Sequence, residues 1–223
     1  MMLCIKRLLF SITLIFLVSS KVNAESSDSR WIFNVLLNGK NIGEHQFVVS
    51  SIDDGYLQVE SNANMRVNFL FFEAFKYQHD ATELWRDGCL ESIKSKTNNN
   101  NDVLAVNGIN SNQIFMVEAQ KNSAMLEGCV RSFAYWDLEK ILNSERLLNP
   151  QTGEYVDVDM VTGGAETIQV VDTMWNATKY SLTGEKLHID LWYGPDGEWL
   201  KLRSKLKNNR ELIYQLQSQA ISI

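Results

Sequence analysis

The chain has 223 residues, of which 45% are hydrophobic and 22% are charged, and its formal net charge is −6. This length is sufficient for one domain with a substantial core. An acidic chain with scattered cations lacks the basic stripe of nucleic-acid-binding proteins, so nucleic acid is excluded as a partner.

The first residues have the pattern of a secretory signal peptide. Lys6 and Arg7 precede an apolar run over residues 8–18, and small and polar residues follow as far as Ala24. This arrangement predicts cleavage after Ala24, because the apolar run is too short to span a bilayer comfortably. We therefore expect residues 1–24 to be a signal peptide and residues 25–223 to form a single antiparallel β domain. The mature protein is expected to be periplasmic or secreted.

From residue 31 onwards, apolar and polar residues alternate in short segments. Trp31, Phe33 and Val35, for example, share one face of the first predicted strand. Alternation with period two is typical of strands that bury one face. Turn-forming residues separate the segments, and they include Asn38-Gly39, Asn107-Gly108, Gly163-Gly164, residues 194–197 and Asn208-Asn209. The sequence predicts a mainly β fold: a curled antiparallel sheet or open barrel of about ten or eleven strands with one or two short helices.

Residues 67–75 interrupt this alternation, because they are apolar nearly all round. We expect a short helix or a buried crossover that closes one end of the barrel. An alternative interpretation is that the segment forms the wall of a hydrophobic pocket.

Two of the three histidines are predicted to face the interior. His45 shares a strand face with apolar neighbours, and Tyr77, His79 and Glu83 share a face of another strand. Three interpretations remain open: a hydrogen-bonded network that stabilises the core, a cluster that anchors a ligand, and a catalytic or metal site. Because a buried carboxylate must be paired or protonated, Glu83 is predicted to contact an interior cation or histidine, with His45 the nearest candidate. His188 falls on a charged face and is expected at the surface.

Cys89 and Cys129 remain after Cys4 leaves with the signal peptide, and each follows a glycine. An even pair in an oxidising compartment predicts a disulfide. Its loop of about forty residues would contribute roughly 3–4 kcal/mol to stability. Two thiols that ligate a metal are the alternative, but the chain has no C-x-x-C spacing.

Residues 137–143 have the pattern of a short helix with Asp137 as its N-cap. Six aromatic residues are candidates for the lining of an apolar interior, although aromatics at strand spacing are commonly core. They are Trp85, Tyr135, Trp136, Trp175, Trp192 and Tyr193. The predicted ligand-binding residues are His45, Tyr77, His79, Glu83, Trp85, Tyr135, Trp136 and Asp137. No catalytic residue is assigned, because no G-x-S-x-G, H-E-x-x-H, Walker or G-x-G-x-x-G motif occurs. We expect no metal and no cofactor, and the sequence leans against an enzyme.

Three motifs resemble a known type of protein: Y-x-H-x-x-x-E-x-W-x-x-G-C-L at residues 77–90, A-Y-W-D at 134–137 and L-L-N-x-x-T-G at 147–153. The chain resembles a family of uncharacterised exported bacterial β-proteins, a domain of unknown function, that carries these motifs. The resemblance marks His79, Glu83, Trp85, Cys89, Tyr135, Trp136 and Asp137 as motif positions without roles. More distantly, the chain is similar to periplasmic lipoprotein carriers and receptors, in which a curved antiparallel sheet surrounds an apolar cavity.

Together these features predict an exported protein that binds an apolar small molecule or a lipid within a curled β-sheet. One alternative is a periplasmic enzyme that uses the interior His/Glu cluster, and another is a structural or interaction accessory protein of the cell envelope. An integral outer-membrane barrel is disfavoured, because His45 and His79 would then face lipid at a high cost in free energy. After signal cleavage, the protein is therefore not expected to be an integral membrane protein.

Overall fold

The computed structural model of the protein describes residues 28–52, 55–69, 72–120 and 123–221. The predicted signal peptide, residues 1–24, lies outside the described residues. Within them, thirteen antiparallel strands form one sheet, and two short strands form a second. The predicted mainly β fold with a curled antiparallel sheet is confirmed. The fifteen described strands outnumber the ten or eleven predicted. Two of the additional strands have only three residues each, too few to show an alternation in the sequence.

In chain order the strands are β1 (Ser29–Leu37), β2 (Lys40–Ser51), β3 (Tyr56–Phe69), β4 (Phe72–Arg86), β5 (Cys89–Asn99), β6 (Asp102–Ser111), β7 (Ile114–Ala119), β8 (Ser123–Glu127), β9 (Arg146–Leu148), β10 (Tyr155–Asp157), β11 (Asp159–Val170), β12 (Thr173–Gly184), β13 (Leu187–Tyr193), β14 (Trp199–Lys205) and β15 (Glu211–Ile221). A short α-helix, α1, spans Leu138–Leu142, and a 3₁₀ turn spans Lys207–Asn209.

The large sheet follows the chain as a meander with one exception. Its order is β11-β12-β13-β14-β15-β1-β2-β3-β4-β5-β6-β7-β8, so every strand lies beside a sequence neighbour except where β15 pairs with β1. Ser29 on β1 stands opposite Ile221 on β15. The first and last described strands therefore meet in the middle of the sheet, while β8 and β11 form its edges.

The predicted turns are confirmed in part. Asn38 and Gly39 connect β1 to β2 with φ values of 49° and 78°, as a two-residue hairpin with two positive φ angles requires. The turn predicted at Asn107-Gly108 is wrong, because both residues lie within β6. A Cβ on Gly108 would lie 2.5 Å from Cε1 of Phe115, so glycine here makes room for a core aromatic ring. Gly163-Gly164 likewise lies within β11, at a shift in its pairing with β12.

The helix or crossover predicted for residues 67–75 is also wrong, because β3 and β4 continue through this segment as a hairpin. Val67 stands opposite Phe75 in the β3–β4 ladder, and residues 70–71 lie outside the described residues. An aromatic run without clear alternation fits a strand when both faces carry large side chains. Val67 and Phe75 do line a cavity, as the alternative interpretation required.

Residues 128–158, here called the crossing segment, connect β8 to β11. Backbone and side-chain bonds attach it to residues of β4, β5 and β13, as in the 2.8 Å bond from Leu90 N to the Val130 carbonyl. Its apolar residues Ile141, Leu147 and Leu148 are fully buried. Because its partners belong to the inward faces of these strands, the crossing segment fills part of the concave side of the sheet.

Helix α1 begins in the crossing segment as predicted. Asp137 is its N-cap and accepts a hydrogen bond of 3.2 Å from the backbone N–H of Lys140. Ile141 is the buried residue of this short helix. Among the residues that the structure describes, no helix is both long and apolar enough to cross a membrane.

Candidate functional site

Strand pairing brings the two interior histidines into one row across the sheet. His45 on β2 stands opposite Ala63 on β3, which stands opposite His79 on β4, and His79 stands opposite Thr97 on β5. The two imidazole rings are 6.4 Å apart, measured between their centroids. The sequence prediction that His45 and His79 face one interior therefore agrees with the geometry.

Hydroxyl groups on two other strands hold the His45 ring. Its Nε2 lies 2.7 Å from Oγ of Ser61, and its Nδ1 lies 3.2 Å from the hydroxyl of Tyr214. The ring stacks on Phe47 with 4.1 Å between centroids. Burial lowers the pKa of His45 well below its usual value, and nearby His79 lowers it further. His45 is therefore a neutral imidazole at neutral pH, with one donor and one acceptor nitrogen.

His79 is a second neutral imidazole in the same row. It is 3% exposed, and its Nδ1 lies 2.8 Å from Oγ1 of Thr97. Burial lowers the pKa of His79 to about 4, although Asp80 opposes the shift. The Tyr77 ring lies on the same strand face, with its centroid 6.5 Å from that of His79. Both histidines thus contribute hydrogen-bonding capacity and no charge to the interior.

A cavity of about 220 Å³, here called the inner cavity, opens beside this row. Its lining combines the histidine row, aromatic and aliphatic residues of β13 to β15, and residues of the crossing segment. The lining residues are His45, Phe47, Ser61, His79, Phe133, Tyr135, Asn149, Pro150, Gln151, Leu187, Ile189, Trp199, Leu202, Ser204, Leu212 and Tyr214. None of these described residues is an aspartate, glutamate, lysine or arginine.

A larger cavity of about 720 Å³, here called the outer cavity, adjoins the inner one. Gln151, Leu212 and Tyr214 line both cavities. The outer cavity is mainly apolar, and most of its wall comes from β1 to β4 and β15. Its polar lining residues are Asn99, Asn100, Gln151 and Arg210, so one cation lies at this cavity. The apolar and aromatic residues that line it are Leu37, Ile42, Met65, Val67, Ala74, Phe75, Tyr77, Leu206, Leu212 and Tyr214. Its volume falls within the range of small-molecule sites, which is about 300–1,000 Å³.

Glu83 lies on the inward face of β4 as predicted, but its partners differ from the predicted histidine. Its Oε2 accepts hydrogen bonds of 2.9 Å from Nε1 of Trp85 and of 2.9 Å from Oγ of Ser132. Burial raises the pKa of Glu83 to about 7, and the two hydrogen bonds oppose that shift. Glu83 is four residues from His79 along the strand, about 13 Å at strand spacing, so it joins the sheet to the crossing segment and not to the histidine row.

The structure therefore divides the predicted ligand-binding residues into two groups. His45, Tyr77, His79 and Tyr135 line the two cavities. The others lie where the crossing segment packs on β4. Trp85 and Trp136 pack edge to face with centroids 5.7 Å apart, and Asp137 caps α1. These positions hold the crossing segment in place.

The predicted disulfide attaches the crossing segment to β5. Cys89 and Cys129 form a disulfide with a Cα–Cα distance of 5.1 Å. Arg131 adds to this attachment, because its Nε donates to the carbonyl of Gly88 at 3.0 Å. Because both sulfur atoms are part of the disulfide, the alternative in which the two thiols ligate a metal is wrong. No group of three or more metal-ligating side chains occurs among the described residues.

Sequence reasoning missed several cavity residues. Ser61 and Tyr214 carried a usable signal, because each lies two residues from an apolar neighbour on the inward face of its strand. Asn149, Pro150 and Gln151 carried none, since they belong to an irregular stretch of the crossing segment whose position depends on tertiary contacts. Oγ of Ser95 on β5 donates to the carbonyl of Pro150 and so holds this stretch beside the inner cavity.

Comparisons with known proteins agree with this architecture. Residues 33–217 match the model of a family described as Domain of unknown function (DUF6134). The fold is similar to the crystal structure of a β-barrel-like protein of domain of unknown function DUF1849 from Brucella abortus, with a TM-score of 0.64 and 11% sequence identity. That match covers 87% of this chain and 97% of the other. At this identity the likeness concerns the fold alone. No curated protein matches the sequence.

Proposed function

The chain belongs to the family described as Domain of unknown function (DUF6134), and on this premise we propose that it is an exported protein that binds an apolar or amphiphilic molecule inside its curled sheet. The observation that carries the proposal is the pair of adjoining cavities on the concave side. Ligand sites are typically concave and mainly apolar, with a few polar groups that orient the ligand. The outer cavity supplies the apolar walls, and the histidine row supplies the polar groups.

The location of the cavities supports binding in preference to a solid core. The main apolar core is built from residues of both halves of the sheet and of the crossing segment, and none of its buried residues lines the outer cavity. The residues Val35, Ile42, Ala63 and Met65 form a separate small cluster at the outer cavity. Protein interiors are normally close-packed, so a large apolar cavity beside a well-packed core supports a role in ligand binding.

Export is the second part of the proposal. The signal-peptide pattern of residues 1–24 supports it, as does the disulfide between Cys89 and Cys129, since disulfides persist in oxidising compartments. A carrier or sensor of apolar molecules in the periplasm meets its ligand in water, where a protein interior shields the ligand's apolar surface.

A direct test is organic extraction and mass spectrometry of protein purified from its native compartment. A complementary measurement is the binding of N-phenylnaphthylamine, an uncharged apolar fluorophore whose emission rises when it leaves water. Leu212→Trp introduces a bulky side chain at the wall that the two cavities share, and we expect it to abolish both the extracted ligand and the fluorophore signal. Leu142→Trp is the matched control, because Leu142 is 42% exposed on α1. Equal signals from the two variants would contradict the proposal.

A hydrolase is a second candidate function, and one observation favours it. The 2.7 Å contact between Oγ of Ser61 and Nε2 of His45, with Tyr214 on the other ring nitrogen, has the arrangement of a nucleophile, a base and a group that orients the base. The candidate catalytic set therefore differs from the predicted His/Glu cluster, because it contains Ser61 and Tyr214 and does not contain Glu83. Labelling by an alkyl fluorophosphonate at Ser61, absent in Ser61→Ala, would support it. An unlabelled wild-type protein would contradict it.

A further inference from the structure

The hydrogen bonds around His45 leave one hydroxyl proton uncommitted. A neutral imidazole has one N–H donor and one acceptor nitrogen. If Nδ1 donates to Tyr214, then Nε2 accepts from Ser61, and the Tyr214 proton is not used. If Nε2 donates to Ser61, then Nδ1 accepts from Tyr214, and the Ser61 proton is not used. In either tautomer, one hydroxyl in the inner cavity remains able to donate to a ligand.

His79 adds a second polar contact to the same cavity. Its Nδ1 bonds to Thr97, and its Nε2 has no hydrogen-bond partner among the described residues. His79 lines the inner cavity together with His45, Ser61 and Tyr214. An oxygen atom placed in this cavity therefore finds a hydroxyl donor and an imidazole nitrogen.

The inner cavity offers nothing that compensates a full charge, since Arg210 lines only the outer cavity. Its described lining contains no acidic or basic side chain apart from the two histidines, and burial keeps both neutral. Moving an isolated carboxylate or ammonium group from water into such surroundings costs several kcal/mol in effect, and a single hydrogen bond does not offset that cost. A hydroxyl, ether or ester group loses far less on transfer and can accept the available proton.

We propose that the inner cavity holds the uncharged, oxygen-bearing head group of an amphiphile whose hydrocarbon chain occupies the outer cavity. The shared wall of Gln151, Leu212 and Tyr214 places the head-group site directly beside the apolar chamber. This inference rests on the proposed function and adds the class of ligand to it: single-chain alcohols, glycerol ethers or glycerol esters in preference to fatty acids or alkylamines.

The test is a competition experiment on the full mature protein at neutral pH. Tetradecyl glycerol ether, myristic acid and tetradecylamine have the same chain length and carry an uncharged, a negative and a positive head group. Each amphiphile is added below its own critical micelle concentration, and the displacement of bound N-phenylnaphthylamine is measured. We expect the ether to bind about tenfold or more tightly than either charged compound. Equal or tighter binding of the acid or the amine would overturn the inference and leave the proposed function standing.

A pair of variants tests the role of the hydroxyl groups. In His45→Phe/Ser61→Ala/Tyr214→Phe, both hydroxyl donors and the imidazole N–H that could replace them are removed, so the affinity for the ether should fall about five- to tenfold. The matched control is Ser111→Ala/Tyr56→Phe, because neither Ser111 nor Tyr56 lines the inner or the outer cavity. An unchanged affinity for the ether in the first variant would overturn the inference. Failure of the fluorophore and of all three amphiphiles to bind the wild-type protein would overturn the inference and the proposed function together.

Discussion

At the scale of single residues, the interior contains titratable groups whose uncharged forms are favoured for a common physical reason. Burial lowers the pKa of His45 and of His79 and raises the pKa of Glu83, because each shift favours the uncharged form. Hydrogen bonds from hydroxyl and indole groups satisfy the same side chains without adding charge. The consequence is a dependence of stability on pH that differs in sign between the glutamate and the histidines.

The free energy of unfolding of the wild-type protein should fall as pH rises because of Glu83, and Glu83→Gln should not show this fall. The pKa of Glu83 is about 7 in the folded protein and 4.5 as its ordinary value, so the folded state binds the proton more tightly. The stabilising contribution is complete below pH 4.5 and is lost as pH rises through about 7. The difference amounts to about 3 kcal/mol at most, by the linkage between pKa and stability. Denaturant unfolding of both proteins between these pH values measures it.

The control for this experiment is Glu60→Gln, because Glu60 lies on the exposed face of β3. The free energies of unfolding of the control and the wild type should stay parallel across the pH range. If Glu83→Gln also stayed parallel to the wild type, the carboxyl group would be solvated and the bonds to Trp85 and Ser132 would not persist in solution.

His79→Gln should act in the opposite direction. The pKa of His79 is about 4 in the folded protein and 6.5 as its ordinary value, so the unfolded chain binds the proton more tightly. The wild-type contribution is present above pH 6.5 and is lost as pH falls towards 4. Glutamine retains a hydrogen-bonding side chain but does not titrate, so the variant should lose about 3 kcal/mol less than the wild type over this range. Unfolding curves at successive pH values measure the difference.

His188→Gln is the matched control, because the His188 side chain is 45% exposed on the outer face of β13. In addition, His79→Ala should lower the melting temperature at neutral pH more than His188→Ala does, since it removes a buried ring and leaves Thr97 without its partner. Equal melting temperatures for the two alanine variants would show that the face carrying His79 is solvated.

At the scale of elements, the crossing segment determines which part of the concave face is filled and which part is hollow. It is attached by the disulfide, by the bond from Ser132 to Glu83, and by the 2.8 Å bond from the Tyr193 hydroxyl to the Tyr135 carbonyl. Trp85 on β4 packs against its Trp136, and Trp199 on β14 packs against its Tyr135. Residues 149–151 then form one wall of the inner cavity, so the attachment of the crossing segment determines the shape of that cavity.

Replacing Cys89 and Cys129 together with serine should lower the free energy of unfolding by roughly 3–4 kcal/mol, because a closed loop of about this length restricts the unfolded chain. Denaturant titration under oxidising conditions measures the change. A reducing agent should destabilise the wild type by a similar amount and leave the double variant unaffected. Identical unfolding midpoints for the wild type and the double variant would contradict the role given to this attachment.

At the scale of the whole molecule, the pairing of β15 with β1 makes the sheet continuous. β15 lies between β14 and β1, and its residues Tyr214 and Leu216 belong to the cavity wall and the core. The ladder joins residues nearly the full chain length apart, as Ser29 and Ile221 show. Contacts of such large sequence separation carry a high loop-closure cost, so we expect this ladder to form late in folding.

Deletion of residues 211–223 should abolish cooperative unfolding, because it removes a central strand and leaves β1 and β14 as unpaired edges. Deletion of residues 222–223 alone is the control and should leave the transition unchanged. Thermal unfolding followed by circular dichroism distinguishes the two. A sharp transition in the longer deletion would mean that the two halves of the sheet fold independently.

Local pattern was sufficient for much of the fold. Alternation in residues 31–37 predicted β1, Asn38-Gly39 predicted its hairpin turn, and Asp137 predicted the start of α1, because each depends on neighbours in the chain. The same local logic failed at residues 67–75 and at Gly108. There the conformation depends on strand partners and on the space that Phe115 occupies, and neither is visible in the local sequence.

The sequence by itself determined the antiparallel β class, the inward faces of His45, His79 and Glu83, and the cysteine pair, because alternation and composition are properties of the chain. Only the tertiary structure decided which inward residues meet. Strand register aligns His45 with His79, and the crossing segment takes Glu83 as its partner, so one predicted cluster becomes two separate sites. Register and the path of a long connection depend on contacts between distant residues, and for that reason the cavities appear only in the folded molecule.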